Sequence, residues 1–141
     1  MPTRDYPLPL ALLADHVARH PQRPYLHQPV NGNWKTFTWG DVDAQARRIA
    51  AGLLAQGFAP GDRIAILAKN CAEWFITDFA IMMAGMVSVP IYTTASAATI
   101  RYVLEHSEAR AIFLGKLDAL EPAEEAIPPG MLRIALPYPT A

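Results

Sequence analysis

The chain has 141 residues, close to the usual size of one domain. It is 52% hydrophobic and 18% charged, enough apolar material to build a core and too little charge to favour disorder. Twelve basic residues against thirteen acidic ones leave no basic face for nucleic acid and no polybasic tract for anionic lipid, and the single cysteine excludes an internal disulfide and suits a reducing cytoplasm.

The amino terminus, MPTRDYPLPLALLADHVARH, carries a short apolar run that Pro9 interrupts and Asp15 closes, with no small-residue cleavage site behind it. Leu10, Leu13, Ala14 and Val17 fall at helical spacing and predict an amphipathic helix instead. Tyr25 to Gln28 and Trp34 to Phe37 flank an Asn31-Gly32 turn, a hairpin signal weakened by Pro29. Thr38 is placed to cap a helix reaching Gln56, with Val42, Ala46, Ile49, Ala50, Leu53 and Leu54 on one face and Gly57 at its end. FAPGD is a turn and RIAIL, residues 63–67, a strand.

The stretch NCAEWFITDFAIMMAGMVSVPIY, residues 70–92, is apolar enough to raise the question of a membrane span. Glu73 and Asp78 would each be costly in lipid, and Gly85 and Pro90 break the run. It divides better into two elements. Asn70 and Glu73 fit a capping box, Ala72, Phe75, Ile76, Phe79, Ala80 and Met83 form an apolar face, and Gly85 suits a helix end. Met86 to Tyr92, with Val87, Val89 and Ile91, then predicts a strand covered on both faces. Ser96 caps a further helix ending near Ser107, AIFL (111–114) is a strand, Lys116 to Ala126 a short helix disturbed by Pro122, and LRIAL (132–136) a last strand. Residues 1–8 and the Pro-rich segments EPAEEAIPPG and LPYPTA are expected to be flexible, with PPG a loop tip.

Strands alternating with helices predict right-handed βαβ units: one α/β domain over residues 1–141, a layered parallel sheet with flanking helices and an N-terminal hairpin at one edge. In such a sheet ligands bind beyond the carboxyl ends of the strands, here AKN (68–70), YTT (92–94) and GK (115–116). The same residue types also make ordinary helix-entry turns. No Gly-rich phosphate loop and no G-x-S-x-G occurs. His16 and His20 share a helix face, but Val17 stands where a metalloprotease motif has Glu, and a solvated helix end accounts for the pair; no metal site is expected. Cys71 at a helix start could have a lowered pKa, yet no histidine partner is implied, and an inert thiol is the simpler reading. Asp78 is read with Thr77 on the polar side of its helix, and Trp74, Phe75 and Phe79 as core.

Taken in order, W-K-T-F-T-W-G-D-V (34–42), G-D-R-I-A-I-L-A-K-N-C-A-E-W (61–74), A-I-M-M-A-G-M-V-S-V-P-I-Y (80–92) and A-R-A-I-F-L (109–114) resemble the opening of the AMP-forming acyl-CoA synthetases of the adenylate-forming superfamily. The likeness covers roughly residues 8–115, and E-W-F-I-T-D-F-A-I and V-P-I-Y-T-T are most similar to long-chain fatty-acid CoA ligases. The resemblance implies a parent ligase that uses ATP, Mg²⁺ and CoA, with a fatty acid attacking ATP to give an acyl-adenylate and pyrophosphate before the CoA thiol displaces AMP. It also implies that the T-S-G-T-T-G-x-P-K-G phosphate loop and the catalytic lysine lie in later sequence that has no counterpart here. No catalytic, cofactor-binding or metal-binding residue is carried over. Tyr92, Thr93 and Thr94 are expected to face the acyl or CoA side of the complete enzyme, by strand-end position alone.

The first expectation is therefore a truncated N-terminal subdomain of a fatty acyl-CoA ligase, inactive alone, whose partner is the rest of that ligase. The alternatives are a small stand-alone module binding a partner through an apolar face and a stand-alone nucleotide binder. An exposed apolar face would favour a homodimer under the first two. No transmembrane segment is expected, and the parent's association with a membrane surface stays open.

Overall fold

The computed structural model describes residues 7–138. Residues 1–6 and 139–141, which hold most of the expected flexible ends, lie outside the described residues. The order is α1 (Pro9–Arg19), β1 (Pro24–Val30), β2 (Asn33–Thr38), α2 (Trp39–Ala55), β3 (Arg63–Ala68), α3 (Ala72–Met83), β4 (Val87–Ile91), α4 (Ala97–Ser107), β5 (Ala111–Gly115), α5 (Glu121–Ala126) and β6 (Leu132–Ala135). β3 to β6 form a parallel sheet in the order β4-β3-β5-β6, and β1 and β2 form a separate antiparallel hairpin.

Two cores sandwich the sheet, and side-chain alternation decides which residue enters which. Ile64, Ile66 and Ala68 of β3 and Phe113 of β5 join the core beneath α1, α2 and α3. Ala65, Leu67 and Ile112 join the core beneath α4 and α5. β3 and β5, central and covered on both faces, therefore read as unbroken apolar runs. β4 is different. It is an edge strand with Val87 49% exposed and Pro90 exposed, which corrects the expectation of a strand covered on both faces. Its β-branched residues serve only one core, through Val89 and Ile91.

The helix ends show local chemistry where it exists. The Thr38 hydroxyl accepts from the Asp41 N–H and the Asp41 carboxylate accepts from the Thr38 N–H, a complete capping box at α2. Ser96 Oγ accepts from the Thr99 N–H at α4, and Gly85, at φ +72°, turns the chain out of α3 as expected. The capping box expected at Asn70 and Glu73 is absent. Cys71 occupies the cap position of α3 without a side-chain bond, and the Ala72 N–H instead donates to Gln28 Oε1 of β1 at 3.0 Å. The hairpin thus sits against α2 and α3, not beside an edge strand. Glu73 is buried and is claimed elsewhere (below).

The buried face of α3 is also rotated from the expected one. Ala72, Glu73, Ile76, Thr77, Ala80 and Ile81 are buried, whereas Phe75 is 41% exposed and Trp74 and Phe79 are half-buried. Thr77 is fully buried, not on a polar side with the half-buried Asp78. After β5 the chain becomes helical only at Glu121. Pro122 sits in the first turn of α5, where its missing N–H costs nothing, rather than in the middle of a longer helix. EPAEEAIPPG is accordingly ordered for most of its length, with Pro128 to Met131 closing the turn at PPG.

Candidate functional site: a cleft at the carboxyl ends of the sheet

The connection after β3 enters α3 on one face of the sheet, and those after β4 and β5 enter α4 and α5 on the other. Adjacent strands whose exits part in this way leave a crevice at their carboxyl ends. A cleft of about 750 Å³ lies there, lined by Ala68, Lys69, Asn70, Trp74, Pro90, Ile91, Tyr92, Thr93 and Lys116. The three strand ends singled out in the sequence therefore do converge. Tyr92, 86% exposed, and Thr93 line the cleft, while Thr94 is exposed and outside the lining.

The charges are arranged unequally. Lys69 is paired with Asp118, which follows β5 and lies outside the lining. Lys116 has no carboxylate partner among the described residues. Its ammonium lies 3.5 Å from the Asn70 carbonyl and 5.6 Å from the Tyr138 ring centroid, on a backbone held at φ +50°. The cleft thus offers one uncommitted cation, two aromatic rings and a threonine hydroxyl: a surface for an anion joined to an apolar or planar group. Trp74, read as core, is half-buried and packs against the core beneath α1, α2 and α3, and its position in the first turn of α3 brings it to the cleft wall as well.

Beside the cleft, Tyr138 donates its hydroxyl to the Glu73 carboxylate, and Lys35 approaches Glu73 to 3.9 Å. Burial pushes the Tyr138 phenol well above its ordinary range, helped by the Glu73 carboxylate it bonds. Burial likewise pushes the Cys71 thiol up, so the lowered pKa considered for a helix-start cysteine does not arise. His16 stacks on the Trp39 ring at 4.3 Å between centroids, which places it in a packed aromatic contact. Nothing local in the sequence signalled the Glu73–Tyr138 pair, whose members are 65 residues apart.

Comparison with known proteins matches the chain from residue 13 to 136 to the family described as AMP-binding enzyme. A long-chain-fatty-acid–CoA ligase, FadD15 of Mycobacterium bovis, is 38% identical over 103 residues, which are 73% of this chain and 17% of that ligase. The acyl-CoA ligase sidI of Aspergillus fumigatus is 37% identical over 78 residues, 55% of this chain and 13% of that protein. Among solved structures, the N-terminal domain of FACL13 from Mycobacterium tuberculosis superposes with a TM-score of 0.75 at 27% identity, over 88% of this chain and 32% of that one. VinN shares the fold with a TM-score of 0.80 at 20% identity, over 94% of this chain and 33% of its own. The chain thus spans 17% or less of these curated relatives. It belongs to the AMP-binding enzyme family, and the two curated relatives named here are acyl-CoA ligases.

Proposed function

We propose that the chain is the amino-terminal layer of an AMP-forming ligase that activates a fatty acid and transfers it to CoA, and that it supplies a wall of the substrate cleft but none of the reacting groups. The observation that carries this reading is the 38% identity to a long-chain-fatty-acid–CoA ligase over 73% of this chain but only 17% of that ligase, together with the family match over residues 13–136, which include every strand end of the cleft.

The residues of this chain do not fit Mg·ATP. The sequence has no Gly-rich phosphate loop, and no cluster of acidic side chains able to hold a metal ion occurs among the described residues. No step of adenylation is therefore assigned to it. Its own contribution is positional. Lys116 offers an ammonium to an anionic part of a substrate, Trp74 and Tyr92 offer ring faces, and Thr93 offers a hydroxyl; Thr94 stands at the rim. Tyr92, Thr93 and Thr94 border the acyl or CoA side in this reading.

Isothermal titration of the chain with millimolar Mg·ATP, with pyrophosphate release measured in the presence of a long-chain fatty acid, tests the division of labour. Neither heat of binding nor turnover is expected. The chain placed ahead of the portion of the Mycobacterium bovis ligase that it does not match is expected to form acyl-CoA. Acyl-adenylate made by the 141-residue chain alone would overturn the reading.

A further inference from the structure

Among the described residues, three other than glycine hold a positive φ: Asn31, Glu108 and Lys116. Asn31 belongs to the Asn-Gly hairpin turn, and Glu108 ends α4 and pairs with Arg63. Lys116, at φ +50°, closes neither a hairpin nor a helix. A left-handed backbone strains any residue with a Cβ, and glycine would stand there at ease. Strain of this kind persists where the side chain serves something beyond the fold.

Lys116 and Asn70 line two cavities at once. One is the cleft at the strand ends; the other is a groove of about 320 Å³ between β1 and the first turn of α3. That volume is at the low end for a small-molecule site. The groove wall is largely apolar, with Leu26, Pro29, Ala72 and Phe75, and Phe75 is 41% exposed where it lines the groove. Gln28 is committed, since its amide accepts from the Ala72 N–H and donates to the Pro29 carbonyl. His27 is held by Thr36 through Nδ1 at 3.1 Å. The charge that the groove offers a ligand is therefore the Lys116 ammonium, which has no carboxylate partner among the described residues.

We propose that this groove is a binding site for a small monocarboxylate with an apolar body, its carboxylate on the Lys116 ammonium and its body against Leu26, Pro29 and Phe75. One ammonium matches one carboxylate in a charge-assisted hydrogen bond. A phosphate needs several donors, and the first free amide of α3 is already bonded to Gln28. The apolar wall favours a ligand that brings hydrocarbon with its charge. Binding in the groove does not depend on the ligase reading, which pyrophosphate release tests separately.

The test titrates the 141-residue chain with octanoate and follows its backbone amides by NMR. The His27, Ala72 and Lys116 amides are expected to shift and to saturate with a dissociation constant on the order of 1 mM, while Tyr92 and Thr93 stay in place. Inorganic phosphate at the same concentrations is expected to shift none of them. Lys116→Gly is expected to weaken octanoate about tenfold or more, and also to raise the thermal midpoint by about 2–3 °C as the backbone strain is relieved. A lysine kept for the fold would give the opposite change in midpoint. Pro29→Glu leaves Lys116 untouched, removes no backbone donor from the hairpin and sets a like charge on the groove wall; it is expected to weaken octanoate by a similar factor. Four results overturn the proposal: no saturating shift, shifts at Tyr92 and Thr93 in place of the groove, the same shifts with phosphate, or a lowered midpoint in Lys116→Gly. Octanoate bound by Pro29→Glu as tightly as by the parent chain does so too, even where Lys116→Gly fails to fold.

Discussion

The Tyr138 hydroxyl donates to the buried Glu73 carboxylate, tying the residues that follow β6 to the first turn of α3. The Glu73 side chain also faces Lys35 of β2, so one carboxylate joins the hairpin, the helix layer and the end of the sheet. Tyr138→Phe keeps the ring beneath Lys116 and removes only the bond. A loss of about 1.5–3 kcal/mol is expected from urea unfolding, typical of a hydrogen bond to a charged acceptor. A Glu73→Gln, Tyr138→Phe double variant should lose less than the sum of the two single changes.

The capping box of α2 makes stability depend on acid. The backbone N–H of Thr38, and then its hydroxyl, holds the Asp41 carboxyl below the ordinary carboxylate value of 3.8. A carboxylate depressed in the folded state adds stability above its unfolded value and loses it as pH falls through its folded one. Thermal midpoints followed downward from pH 5 should therefore fall more shallowly for Asp41→Ala than for the parent chain. Thr38→Ala should lower stability at neutral pH by about 1 kcal/mol, and an unchanged midpoint would show that the cap contributes nothing.

Thr77 is fully buried and its hydroxyl has no hydrogen-bond partner among the described residues. Replacing it with the similarly shaped valine removes an unsatisfied polar group from the core. Thr77→Val is expected to raise unfolding free energy by about 1 kcal/mol, whereas Thr77→Ser, which keeps the hydroxyl and loses the methyl, should lower it. Chemical denaturation of the pair reads the sign directly.

Gly115 ends β5 where a Cβ would stand 2.5 Å from Leu136 Cβ. The strand after it can close on β5 only because that position is bare. Gly115→Ala should cost about 1–3 kcal/mol by overpacking, visible as an earlier urea midpoint.

Sequence patterns conveyed what is local. The Thr38 and Ser96 caps, the Gly85 exit and the alternating strand–helix order were legible because each depends on residues a few positions apart. The face of α3 was not. Periodicity favoured Phe75 and Phe79, yet the hairpin, α2 and the sheet together surround this helix and bury small and polar residues such as Ala72, Glu73 and Thr77. Nor could hydropathy tell that β4 lies at an edge, since β-branched residues facing one core look the same as those facing two. The strand ends of the cleft were foreseen from the parallel sheet alone, while Trp74 and the Glu73–Tyr138 bond depend on tertiary placement.

The long-range cap at α3 has a dynamic consequence. The first free amide of that helix is satisfied by the Gln28 side chain, 44 residues earlier in a different sheet. Detaching the hairpin would strip this amide of its acceptor, so opening of β1–β2 and fraying of the Ala72 turn should occur as a single cooperative event. Their amides would then exchange with deuterium at a common rate, as one unfolding unit made from two separated pieces of sequence.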